Sequence, residues 1–262
     1  MGDFAGSVSR MAPVRRSLTE SSLVPGVLIA LAAAGWWWSV HMAGNMTTSH
    51  TMSVSMTPMS ISLVAFVGGW VAMMSAMMFP TVVPVVLLFR RASTRGLAAP
   101  TTTFVAGYLL IWSTVAIPAY VAWRSLRGPI ADNSPWAARV AGGVFVVAAV
   151  YQVSPFKTAC LRHCRTPMSF FVRQKSDLRS VRGAMRAGVT HGFVCLGCCW
   201  ALMSVLVALG TMNLVWMIAL AALIFVEKVA ATGEAIARIV AGLFALLGLV
   251  LLVYPSFMSS IT

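Results

Sequence analysis

Seven stretches of this chain are long, apolar and almost free of charge, and their recurrence constrains the fold more than any other feature. They run over about 25–42, 62–89, 101–123, 136–154, 187–209, 212–228 and 235–254. A helix needs about 20 mostly apolar residues to cross ~30 Å of hydrocarbon. The runs lack the strict alternation of a barrel strand, and a lipid-embedded backbone must satisfy its own polar groups, so helices are expected. The composition agrees: 59% of the 262 residues are apolar and 10% are charged, where a soluble domain has about 25% charged. Too few polar side chains remain to coat a soluble globule, and disorder would need the opposite balance.

The cations give the orientation. Arg10, Arg15 and Arg16, then Arg90, Arg91 and Arg95, eight between Lys157 and Arg186, and finally Lys228 and Arg238 all fall on one side. Only Arg124, Arg127 and Arg139 fall on the other. The positive-inside rule puts the N-terminus in the cytoplasm and the C-terminus outside. The expected architecture is an all-α, polytopic membrane bundle of about seven helices. A cytoplasmic tail (1–24) precedes a single transmembrane domain (25–254), and a short outer tail (255–262) follows it. A His/Met-rich outer loop (41–61) and a basic cytoplasmic loop (155–186) are its longest connections. The first run also has features of a signal peptide, including a weak twin-arginine echo at Arg15 and Arg16. Trp36, Trp37 and Trp38 fit an outer aromatic belt instead and favour a retained helix. Pro80 and Pro84 should bend the second run.

Soft ligands mark the candidate chemistry. His191, Cys195, Cys198 and Cys199 open the fifth run, and at 100° per residue the first three share one helix face, with Cys199 just beyond. Axial rise should keep one ion from using the whole set: Cys195 with Cys198 or Cys199 is one pairing, His191 with Cys195 another. Cys160 and Cys164, with His163 between them, follow the fourth run. Buried cysteines are often no more than small hydrophobes, but four soft groups on one short helical segment are unusual. Met73, Met74, Met77 and Met78 lie in the second run, where thioethers would suit Cu(I) and packing is the plainer explanation. Met77 and Cys198 should lie at similar depth, which permits a composite site of Cys195, Cys198 and Met77 or Met74. The outer loop offers His41, Met42, Met46 and His50 as a capture site for copper. Glu227 and Lys228 end the sixth run; Lys228 could snorkel to the interface, with Glu227 paired to it or to a basic loop residue, or serving as a relay or ligand.

No Walker loop, dinucleotide fingerprint or zinc-protease motif is present. The basic loop lacks interleaved aromatics apart from Phe170 and Phe171, so anionic lipid headgroups explain it better than nucleic acid.

Together these residues resemble a bacterial family known as predicted metal-binding integral membrane proteins, a domain of unknown function. The resemblance rests on Trp70, Met73, Met74, Ala76, Met77, Met78, Pro80 and Pro84, then Cys160, Leu161, Cys164, Arg165 and Pro167. It continues through Gly188, Gly192, Cys195, Gly197, Cys198, Cys199, Trp200, Leu202 and Met203, and ends with Gly210, Met212, Asn213, Trp216, Met217, Glu227 and Lys228. It covers about 60–230 and implies a multispan bundle with a metal site, located in the bacterial inner (cytoplasmic) membrane, but supplies no reaction. The expected function is non-enzymatic handling of a soft metal, copper before zinc, in transport, delivery or homeostasis. Its partners would be the lipid bilayer and a metallochaperone or metalloenzyme; oligomeric state is left open. The alternatives are a membrane thiol-disulfide oxidoreductase, built on a Cys-x-x-Cys pair with a lowered pKa, and an assembly subunit of a membrane metalloenzyme. Cytoplasmic or intramembrane placement of both cysteine clusters weighs against the oxidoreductase.

Overall fold

Serine and asparagine caps, followed by proline or an apolar run, set where most helices of this chain begin. The computed structural model describes residues 25–41, 62–93, 98–132, 134–165, 180–209 and 213–260. Helix α1 covers 25–41, and α2 (Leu63–Ser93) and α3 (Ala98–Ala131) follow. Helix α4 (Pro135–Gln152) is succeeded by a short α5 (Pro155–Arg165). Then come α6 (Val181–Leu209), α7 (Leu214–Val229), α8 (Gly233–Val253) and a 3₁₀ turn at Pro255–Ser260. No strand occurs among the described residues. The all-helical expectation holds.

The local chemistry explains the breaks. Ser62 Oγ accepts from Ala65 N, Ser180 Oγ from Gly183 N, and Asn213 Oδ1 from Val215 N and Trp216 N, so each caps the helix it precedes. Pro155 disfavours helical backbone at Ser154 but suits the first turn of a new helix, and Ser154 Oγ accepts from Lys157 N. The chain therefore turns by 65° between α4 and α5. The stretch 155–186, expected as a basic loop, instead contributes α5 and the first residues of α6; positions 166–179 lie outside the described residues. Helix α2 continues uninterrupted through Pro80 and Pro84.

Small residues set the closest contacts. Gly188 admits Phe104 O, and β-carbons at Gly107 and Gly192 would sit 2.7 Å from Met185 O and 3.0 Å from Ile111 Cγ1. Helices α3 and α6 thus pack backbone to backbone, as small-xxx-small faces do in membrane proteins. Gly142 and Gly248 perform the same service for α4 and α8. At Gly35, a β-carbon would sit 2.5 Å from Ala72 O, and Trp36 Nε1 donates to Ala76 O, fixing α1 on α2. Helix α6 touches α3, α4, α5 and α7 and forms the centre of the bundle.

Outward faces are apolar: Val64, Ile117, Val121, Val150, Val215, Ile239 and Leu249 are all exposed. Among the described residues, four helical segments are long and apolar enough to cross a membrane: Leu63–Arg90, Thr101–Ile130, Val181–Leu209 and Gly233–Val253. The bent α4–α5 pair makes a fifth if counted as one broken span. Seven were expected; α7, at 16 residues, reaches about 24 Å at 1.5 Å per residue, short of ~30 Å of hydrocarbon, and 25–41 is bordered on both sides by residues outside those described.

Candidate metal centre

The glycine-mediated approach of α3 to α6 determines what faces the α6 cysteines. One turn beyond Gly192, Tyr108 Oη of α3 lies 3.3 Å from Cys195 Sγ, within hydrogen-bonding range. Residues 195, 198 and 199 are fully buried, and their three sulfurs all lie within 4.8 Å of one another. Helical geometry brings this about. Cys198 and Cys199 Sγ each donate to Cys195 O at 3.0 Å, which folds both thiols back toward the preceding turn. The sequence suggested pairs; the structure assembles three. This is the one His/Cys/Asp/Glu group of ligand spacing among the described residues, and it contains no carboxylate.

Two further elements close on the cluster. Helix α5 folds back against α6 and sets Cys164 Sγ 3.7 Å from Cys198 Sγ. Cys160, four residues earlier, lies against Gly197, where a β-carbon would stand 2.8 Å from its sulfur. From α7, Lys228 Nζ donates to Cys195 Sγ at 3.1 Å and to Met78 Sδ at 3.8 Å. Lys228 is half-buried, and its ammonium sits among sulfur atoms from α2 and α6.

Glu227, its neighbour, is buried and ion-paired to Lys157 of α5, with Oε2 2.7 Å from Nζ. Gln152 bridges both: its Nε2 donates to Glu227 Oε1 at 2.8 Å, and its Oε1 accepts from Lys157 Nζ. Glu227 thus pairs with a basic residue from the region first read as a loop. Arg165 donates to Ala230 O at the end of α7, and Arg162 pairs with Glu234 on the surface at 2.9 Å. These links hold α5 onto α7 and α8.

The remaining candidates lie elsewhere. His191 is buried between the rings of Phe104 and Tyr108, with centroids 6.0 and 5.9 Å away, outside the sulfur group. His163 is exposed and its Nδ1 lies 3.1 Å from Ala159 O of its own helix. Met73 and Met74 are buried. Met77 lines an apolar cleft of about 240 Å³ with Trp36, Pro80, Ala221 and Phe225, facing α1 and α7. Met78, one residue on, is the methionine that reaches Lys228. His41 is exposed and stacks on Trp37 at 5.4 Å; Met42, Met46 and His50 lie outside the described residues.

Tyr108, Lys157 and Gln152 were not singled out from the sequence. A tyrosine hydroxyl in an apolar run needs a partner, and so does a lone glutamine at the end of one. Those were the available signals, but neither names its partner.

Four sulfurs converge where the mean environment is apolar. Thiolates and thioethers are soft donors, suited to Cu(I) and, for thiolates, Zn. No curated protein and no solved structure matches the chain. A family model described as PpoB2, copper chaperone, matches residues 67–251, a span that contains every sulfur of the cluster. The chain belongs to this copper chaperone family.

Proposed function

We propose that this protein is a membrane-embedded copper carrier that binds Cu(I) within the buried triad Cys195, Cys198 and Cys199 and delivers it to a metallochaperone or metalloenzyme. The observation that carries the reading is the buried sulfur triad, all within 4.8 Å, with a fourth sulfur 3.7 Å from Cys198. Exposed apolar faces and the apolar segments support the membrane setting. The cation distribution supports an orientation with the basic side in the cytoplasm, and the bacterial inner membrane is the setting we assign to it.

Charge favours copper over zinc. Two thiolates on Cu(I) carry one net negative charge, which the Lys228 ammonium beside Cys195 balances. A closed four-thiolate zinc site would carry two, leaving one uncompensated charge in a low-dielectric interior, where unbalanced charge is costly. Helix α6 holds the ligands, Tyr108 and Lys228 orient Cys195, and the packed bundle keeps water from the sulfurs.

The test is metal analysis of the protein purified in detergent under reducing conditions, beside a Cys195→Ser/Cys198→Ser/Cys199→Ser variant. Wild type should bind Cu(I) stoichiometrically with its five thiols reduced, and the variant should retain far less through purification. Equal copper in both would remove the reading. A cysteine pair that cycles between thiol and disulfide with a quinone or thiol donor, with no retained metal, would establish the oxidoreductase alternative.

A further inference from the structure

The five cysteines are not equally accessible. Cys195, Cys198 and Cys199 are buried, whereas Cys160 and Cys164 are each partly exposed on α5. The two sit at i and i+4, a spacing that puts side chains on the same helix face with β-carbons about 5–6 Å apart. Cys164 is also the member that reaches inward, 3.7 Å from Cys198. One sulfur thus belongs to two groups, an outer pair on α5 and an inner set on α6.

Resting on the copper-carrier reading, we propose that Cys160 and Cys164 form a loading site for Cu(I), and that Cys164 passes the ion to Cys198 by ligand exchange. The metal keeps two sulfur ligands throughout. Cu(I) first lies between the Cys160 and Cys164 thiolates. A Cu–S bond to Cys198 then forms as the bond to Cys160 breaks. The proton leaving the Cys198 thiol is balanced by one taken up at Cys160, and copper stays Cu(I), so no electrons move. A second exchange, in which Cys195 or Cys199 replaces Cys164 and the proton leaving the incoming thiol is balanced by one taken up at Cys164, completes burial and resets the outer pair.

The supporting geometry is asymmetric in a way that a single four-sulfur site would not need. The carrier of the outer pair is a short helix set at 65° to its predecessor. It is pinned at its start by the buried Lys157–Glu227 pair and near its end by Arg165 on Ala230 O. Cys164 is held at the cluster, while the four-residue offset carries Cys160 along the helix to Gly197. A ligand that only completed the inner site would need no partner cysteine one turn away.

The experiment is stopped-flow transfer of copper from the Cu(I)–bicinchoninate complex to reduced protein in detergent, with equilibrium stoichiometry measured on the same samples. Cys164→Ser should slow loading at least tenfold while final stoichiometry stays at the wild-type value. Cys160→Ser should slow it severalfold with stoichiometry unchanged. Unaltered rates in both variants would overturn the relay and leave the carrier reading standing. A Cys164→Ser protein that loses copper as the α6 cysteine variants do would overturn it too, making Cys164 a resident ligand. A wild-type protein that takes no copper would overturn the carrier reading and the relay together. Size-exclusion profiles matching wild type establish that the variants are folded.

Discussion

Glu227 and Lys228 are consecutive residues on one helix, yet they face two different kinds of polar interior. Glu227 is closed in: Lys157 and Gln152 satisfy both carboxylate oxygens, and the three groups are buried together. Lys228 is turned toward Cys195 and Met78, whose sulfurs are weak hydrogen-bond acceptors with ligand capacity to spare. The first arrangement is hard donor matched to hard acceptor, and it joins α4, α5 and α7. The second sets a charge beside soft, exchangeable ligands. The difference teaches how to tell a structural polar group from a functional one in an apolar bundle. The structural group is saturated by its neighbours; the functional one has partners that can still bind something else.

The comparison breaks most visibly at Glu227. Glu227→Ala leaves Lys157 buried against Gln152 alone and should cost about 3–5 kcal/mol, the usual penalty for stranding a buried charge. Thermal unfolding in detergent measures it. A Lys157→Met/Glu227→Leu double variant should recover most of that loss, because apolar replacement of a whole buried pair is often neutral or better. If the double variant were as unstable as the single, the pair would not be the lock.

Lys228→Met should do the reverse, leaving stability close to wild type while weakening Cu(I) affinity about tenfold, a change of roughly 1.4 kcal/mol. Competition against a Cu(I) chelator reads this directly, and unchanged affinity would demote Lys228 to packing. A smaller contrast lies within the methionines. Met→Leu conserves volume and costs under ~1.5 kcal/mol, so Met77→Leu should leave affinity unaltered. Met78→Leu should lower it a fewfold, and the opposite ranking would move the thioether contribution to the α1–α7 cleft. Smallest of all is the surface pair: Arg162→Ala should change neither melting temperature nor copper affinity, since exposed ion pairs contribute little. A measurable loss there would mean that α5 is held mainly from its exposed side.

What the sequence made legible was what is local along a helix. The apolar runs gave the helices, although α7 proved shorter than a span. Spacing on α6 put Cys195, Cys198 and Cys199 on neighbouring faces, and the structure converged them because the two later thiols fold back onto one carbonyl. Depth matching pointed to Met77 or Met74, whereas the α2 thioether that meets Lys228 is Met78; depth alone cannot say which of two adjacent methionines faces a given neighbour. Cys160 and Cys164 of α5 were legible as candidate ligands, but their meeting with α6 was not. Cys164 meets Cys198 across 34 positions, and the contact depends on the fold-back at Ser154 and Pro155, which high charge in that region disguised as a loop. Lys228 was legible only as a lysine near the end of an apolar helix, where snorkelling is the rule; its contact with Cys195 depends on how α7 packs against α6.

Gly197 carries no functional group, yet it acts as the gauge between α5 and α6. A β-carbon there would stand 2.8 Å from the Cys160 sulfur, too close for any real contact, and the Tyr151 hydroxyl holds the Gly197 carbonyl in place. The seat of the Cys160 sulfur is therefore defined by a hydrogen atom. A single added methyl group would turn that sulfur out of its seat, while the Cys160 β-carbon, 3.7 Å away, would stay in ordinary contact. The residue with the least chemistry in this protein thus decides where one of its thiols can point.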